Sequence, residues 1–255
     1  SPVVVRAVDE LLWLELPAQA VEPMAEHIQK YIVADRVEVS VSQEASPLTL
    51  IGPAAPAVVA RIEGQSEPAL SMWGSIEVEI GAASIVLSSG QELGVPALTF
   101  WAPPPDRVAI SEALGRAAGP DGLAAVEDSS VEVLRVEEGA PRFGADYGAE
   151  NLPQETGLEE AVSFSKGCYL GQEVVARLQH RGQVARRVSR LVIEAADVPA
   201  AGSTLQLEGR DAGRITSVAQ SPVDGGVAAL AMLQRRALEP DTRLEVTGGG
   251  SARVV

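Results

Sequence analysis

The sequence predicts an α+β protein that ends in a small antiparallel β-barrel or sandwich. Over roughly the first 130 residues, short β-patterned runs alternate with single helical segments, a layered pattern and not that of a bundle. From Arg187 onward, five strand-like runs follow one another, punctuated by Gly, Pro and Asp, with helix signals nearly absent. At 255 residues, with 46% hydrophobic and 22% charged, the chain has the makings of two or three ordinary globular cores. The predicted division is residues 1–183 and 184–255, with its boundary near Gly182 to Arg187.

Val3 to Leu16 reads as two short strands turning at Asp9-Glu10. Val21, Met24, Ala25, Ile28, Tyr31 and Ile32 recur at helical steps and predict an amphipathic helix from Ala18 to Ile32. His27 lies off this stripe, as a solvated helix-surface histidine would. Val37 to Val41 alternates like a half-buried strand, and Leu48 to Ile51 reads as another. A short helix over Pro53 to Ile62 would end at Gly64. Ile76–Ile80, Ser84–Leu87 and Leu98–Trp101 are three further strands. After the stop at Pro103–Pro105, Asp106 is placed to cap a helix through Ala118, with Gly119 at its end. The barrel runs are Arg187–Glu194, Ser203–Gly209, Ala212–Gln220, Gly226–Leu233 and Thr242–Gly248.

No apolar run approaches the roughly 18–20 residues of a membrane helix. No signal peptide opens the chain, and a single cysteine excludes an internal disulfide. These features point to a cytoplasmic or other reducing compartment. Opening at Ser1 instead of Met reads as processing or truncation. The net charge of −15 argues against a broad nucleic-acid surface, because the protein repels phosphate at long range. It leaves room for one local anion site. Two distant histidines and one cysteine make no metal site.

That local site is suggested by Lys166 to Arg190, which holds six of the twenty Lys and Arg residues and only one acid, Glu173. Its charge is 6 − 1 = +5, so the rest of the chain carries −20. Arg177, Arg181, Arg186 and Arg187 either attract an anion or pair with the surplus acids. Leu170, Val174 and Leu178 place an apolar stripe on a helix beginning near Tyr169, with Glu173 and Arg177 as an i,i+4 pair. Gly171 in its first turn suggests a close approach to the backbone. Cys168, beside Lys166 and at or just before the helix start, is either inert packing or a thiol favoured as thiolate. Upstream, Leu134 to Pro153 carries Glu137, Glu138, Asp146 and Glu150 among Gly139, Gly144 and Gly148. It is either a solvated acidic loop or one whose carboxylate accepts N–H bonds from a planar heterocycle.

These two stretches carry a resemblance. KGCYLGQE, residues 166–173, matches the K-G-C-[YF]-x-G-Q-E signature of the YgfZ family, folate-binding proteins that assist iron–sulfur cluster assembly and repair. LRVEEGAPRFGAD, residues 134–146, resembles a loop shared with the glycine-cleavage aminomethyltransferases. KYIVADRVEV and AGRITSVAQSP resemble further segments of the same superfamily, so the likeness extends from about Val4 to Val246.

The resemblance implies an aminomethyltransferase-like fold of ferredoxin-like α/β lobes plus a C-terminal barrel, with tetrahydrofolate in a central channel. It implies Glu137 as the pterin partner, with Asp146, Lys166, Gln172, Glu173 and Arg177 at the folate site and Cys168 as the family's signature cysteine and candidate catalytic residue, its chemical role not set by sequence. Iron–sulfur client proteins are the implied partners, among them tRNA-modifying enzymes. Family members begin with an added segment bearing a G-[QE]-x-T-[NS]-D-type loop, which is not found here. The expectation is therefore an incomplete first folate lobe and no classical methylamine transfer. The rival expectations are an aminomethyltransferase-like one-carbon enzyme and a silent scaffold that holds a partner.

Overall fold

A computed structural model describes residues 2–8, 10–34, 36–42, 46–62, 65–93, 95–119, 122–158, 161–182, 184–222 and 226–255. The side chains of residues 46, 91, 92 and 177–181 also lie outside the description. The chain forms two compact units, Ser1–Ala125 and Val126–Val255.

In the first unit, β1 (Val4–Val8) and β2 (Leu11–Glu15) pair antiparallel, Val4 opposite Glu15 and Val8 opposite Leu11. A buried arginine anchors this hairpin. Arg6 donates from Nε and Nη2 to Glu15 Oε2 at 3.1 and 2.9 Å. Its Nη1 donates to the carbonyls of Trp73, Gly74 and Ser89. Such a buried charge persists because every donor edge finds an acceptor. Helix α1 (Ala18–Gln29) follows, three residues shorter than its apolar periodicity suggests.

The core of this unit is a sheet of four antiparallel strands in the order β3 (Ser46–Ile51), β6 (Val95–Ala102), β5 (Ala83–Glu92), β4 (Ser75–Ile80). Helices α2 (Ala55–Val59) and α3 (Arg107–Ala118) pack on it. Val58, Val59, Ile110 and Leu114 meet Ile85, Leu87, Leu98 and Phe100 in one cluster. This is the α+β layering the sequence predicts. Two expectations fail in detail. Val37–Val41 forms no strand, and Val37 and Val41 are exposed; alternation alone does not make a strand without a neighbour to bond. Asp106 precedes α3, but its side chain makes no capping bond, because a 3-10 turn over Pro104–Asp106 already leads into the helix. Gly64, the expected end of the second helix, lies outside the described residues.

The second unit opens with α4 (Asp128–Glu137), where the sequence suggests only a loop from Leu134 onward. Helix α5 (Gln172–Arg181) follows after an irregular stretch. Then a closed antiparallel barrel forms from β7 (Arg186–Glu194), β8 (Thr204–Leu207), β9 (Arg210–Gln220), β10 (Val227–Gln234), β11 (Arg243–Val246) and β12 (Ser251–Val254). Around the barrel the order is β10-β7-β12-β11-β8-β9, with β9 closing on β10. Leu191, Ile193, Leu205, Ile215, Leu233 and Leu244 fill it. The strand missed by the sequence reading, β12, links β7 to β11 and leaves the barrel no open edge. Gly213 is required on β9: its φ is 145°, and a Cβ there would collide with Met232 O of β10. No helix among the described residues is long and apolar enough to cross a membrane.

Candidate functional site

Both conspicuous stretches of the sequence lie in the second unit. Helix α4 rests on β9 and β10 through Val136, which packs on Ala219 and Ala228. That seating buries Arg135, one residue back, against the barrel wall. Arg135 Nη1 donates to Asp146 Oδ2 at 2.6 Å and to Ala140 O at 2.7 Å. Its Nη2 donates to Ser217 Oγ on β9 at 2.6 Å. Glu132, one helical turn earlier, takes Nε and Nη2 at 2.9 and 2.6 Å. Burial opposes the Arg135 charge, but the bonds to Glu132 and the charge of Asp146 outweigh it and hold its pKa above the ordinary value. The same Arg135 bonds hold the Glu132 carboxyl below the usual carboxylate range, against its own burial, with Arg142 assisting.

Asp146 has no exposed side-chain surface. Its Oδ2 also accepts the Arg142 backbone N–H, while Oδ1 accepts Thr216 Oγ1 at 2.6 Å and Ser217 Oγ at 2.8 Å. Both oxygens are thus committed to the protein. Asp146 ties the loop to helix α4 and to the barrel, so a ligand would have to displace those bonds to reach it. Neither Arg135 nor the Thr216–Ser217 pair stood out in the sequence as part of this site. The one available signal was an arginine set among Val133, Leu134 and Val136, which has to find a carboxylate if buried.

Glu137 behaves differently. It is the last residue of α4, and its Oε1 is buried with no hydrogen-bond donor among the described residues. Leaving a buried carboxylate oxygen unbonded costs about 1–3 kcal/mol or more. Of the four acids singled out in this loop, Glu138 and Glu150 are exposed and Asp146 is saturated. Glu137 alone holds a buried acceptor in reserve. A carboxylate oxygen of this kind can accept an N–H bond, such as one from the edge of a planar heterocycle. Tyr147 adds a second unbonded polar atom, its buried hydroxyl. Burial, and then the charge of Asp146, push its pKa up to about 12.

The octapeptide is arranged more openly. Cys168 is exposed and unbridged, four residues before the first residue of α5 and not within its first turn. Lys166 Nζ sits over the Tyr169 ring, 4.4 Å from its centroid. Gln172 Oε1 accepts the Tyr169 backbone N–H at 3.1 Å, which ties the octapeptide back on itself at the entrance to α5. Gly171 has φ 85° and nothing within 4 Å of a Cβ position. Its glycine answers the left-handed turn into the helix, not a close approach to the backbone.

Glu173 is exposed, and the Arg177 side chain, like that of Arg181, lies outside the described residues. The expected stripe residues Leu170 and Val174 are also exposed, at 72% and 51%, while Val175 is the buried one among the described side chains of this helix. Helix α5 is held by Gln154, whose Nε2 donates to Val175 O at 2.9 Å. Next to it, Glu155 takes Arg186 of β7 at 3.3 Å. Arg186 therefore pairs with a surplus acid, the plainer of the two readings of the basic stretch.

The sequence matches the GCVT N-terminal domain family over residues 2–166. It is 28% identical over 169 residues to the tRNA-modifying protein YgfZ of Colwellia psychrerythraea, covering 66% of this chain and 48% of that protein. It is 24% identical over 235 residues to the aminomethyltransferase of a Geobacillus species, covering 91% of this chain and 64% of that one. The chain thus spans about half the length of its YgfZ relative. In solved structures, the glycine cleavage system aminomethyltransferase T of Bartonella henselae superposes with a TM-score of 0.83 at 21% identity, over 99% of this chain and 70% of that one. That likeness is one of fold. With a family match over well beyond half its length and the KGCYLGQE octapeptide in place, the chain belongs to the GCVT N-terminal domain family, as a member of YgfZ type.

Proposed function

We propose that this protein is a tetrahydrofolate-binding accessory factor for iron–sulfur cluster assembly or repair, serving enzymes that modify tRNA. The observation that carries the folate half is the orphaned Glu137 Oε1, a buried acceptor awaiting donors at the end of α4. Glu137 would receive the N–H edge of the pterin, and the Arg135–Asp146 network would hold the loop that presents it. Lys166, Gln172, Glu173 and Arg177 stay in the reading as the octapeptide and helix flanking the folate, with residues 184–255 as the barrel behind them. The iron–sulfur half rests on the octapeptide and on the likeness to YgfZ. Cys168 is its reactive group, exposed and therefore open to a client.

A second reading, one-carbon transfer of aminomethyltransferase type, is favoured by the longer stretch of similarity to that enzyme. Cys168 separates the two, because the transferase pattern does not call for it. Charge-assisted hydrogen bonds contribute roughly 1.5–3 kcal/mol, so Glu137→Gln should weaken tetrahydrofolate binding about ten- to a hundredfold by titration calorimetry. Equal affinity in both forms would remove Glu137 from the site. In a host lacking its own YgfZ-type protein, the wild-type gene should restore iron–sulfur enzyme activity and Cys168→Ala should not. Full rescue by the alanine form moves the scaffold reading to first place.

A further inference from the structure

We propose that a cleft beside β7 in the second unit is a binding site for a small oxyanion, a carboxylate or a phosphate, with Arg190 as its principal donor. The proposal stands on the cleft alone and does not depend on the folate reading. The cleft measures about 320 Å³, and Gly139, Gly157, Arg187, Ser189, Arg190 and Leu238 are among the residues lining it. Sites for small ligands run from about 300 to 1,000 Å³, so this one suits a ligand of a few heavy atoms. No Asp or Glu is among the described residues that line it. In a chain with 35 acids and 20 Lys and Arg, a wall bearing two arginines and no acid is a selective feature.

Arg190 departs from Arg135 and Arg186 of the same unit. Arg135 is paired with Glu132 and Asp146, and Arg186 with Glu155. Arg190 makes no ion pair among the described residues, yet its Nε is buried without an acceptor. Its stem runs beside Gly139, which takes φ 73°; a Cβ there would stand 3.4 Å from Arg190 Cδ.

The strand beneath adds a second kind of donor. β12 ends opposite Leu191, and the Val255 N–H donates to Arg190 O at 3.1 Å. Backbone groups alternate sides along a strand, so those of Val188 face the same way as those of Arg190, beyond the end of β12. Val188 itself lines the cleft. A guanidinium and a strand-edge N–H on one wall suit an oxyanion: the planar fork can bond two oxygens at once, which a lysine cannot.

The test is titration calorimetry on the full chain with inorganic phosphate and, separately, glutarate, at ionic strength held constant with sodium chloride. Saturable binding of at least one is expected, and which one binds identifies the ligand as phosphoryl or carboxylate. Arg190→Gln should weaken it about tenfold or more, and Arg190→Lys by less, since it keeps the charge but loses the fork. Arg243→Gln on β11 should leave it unchanged. The proposal is overturned if wild-type protein binds neither probe up to about 20 mM, or if Arg190→Gln binds as wild type does. Should Arg190→Gln fail to fold, Arg190→Lys decides, and unchanged affinity there overturns the proposal.

Discussion

The two stretches that stand out in the sequence are built on opposite principles. Arg135 and Asp146 are buried against the barrel, and both oxygens of Asp146 and all three nitrogens of the Arg135 guanidinium are bonded. From Lys166 to Leu170, the chain is largely exposed, and its regular bonding begins only with the Gln172 link to Tyr169. A motif thus says nothing by itself about whether its residues hold the fold or face a ligand. The hydrogen bonds decide that, and they divide even one motif: Asp146 is saturated where Glu137, in the same loop, is not.

The contrast is most sharply tested at Asp146. Asp146→Ala removes two acceptors and leaves the buried Arg135 charge short of a partner, which should cost about 3–5 kcal/mol. Domains have about 5–15 kcal/mol in total, so the urea midpoint of the second unit should collapse or nearly so. A shift of less than about 1 kcal/mol would mean that the network is not what holds the loop.

Next comes Glu132, whose carboxyl is held low by its bonds to Arg135. A depressed folded pKa contributes stability that is whole above the unfolded value of about 4.3 and is lost as pH falls through the folded value. Acid should therefore destabilise the wild type more steeply than Glu132→Gln. Parallel curves of urea midpoint against pH below about 5 would contradict the pairing.

Smaller effects are expected where partners are lacking. Tyr147 has its pKa raised from 10.0 to about 12, so the stability tied to its neutral hydroxyl is present below pH 10 and lost as pH rises toward 12. Because that hydroxyl is buried and unbonded, Tyr147→Phe should be neutral or stabilising by up to about 1 kcal/mol, and it should remove the alkaline loss. A clear destabilisation would reveal a partner for the hydroxyl. Cys168→Ser should change stability least, within about 0.5 kcal/mol, since the thiol is exposed. Rapid alkylation of native protein by iodoacetamide checks the exposure directly; protection until unfolding would place Cys168 in the buried class.

What the sequence determined by itself follows from local chemistry. Short β-branched and apolar runs between turn residues located β1, β2, β3, β4, β5 and β6, and five of the six barrel strands, because strand preference and turn chemistry are set over a few residues. The octapeptide and the LRVEEG loop were legible in the same way, since such motifs are linear. Helix α4 escaped because Val131, Val133 and Val136 are β-branched and their local preference disfavours a helix. The acid Asp128 in its first turn and Arg135 in its last were the signals that could have revealed it. The strand Val37–Val41 was promised by alternation and denied by the lack of a neighbour.

Tertiary structure alone decided which acid is spent and which is free. Asp146 is saturated by Thr216 and Ser217, some seventy residues further along the chain, and by an arginine eleven residues before it. Glu137 Oε1 and Arg190 Nε are left unbonded by the same packing. Hydrogen-bond satisfaction depends on which distant donors and acceptors the fold brings within about 3 Å, and residue order along the chain does not contain that distance.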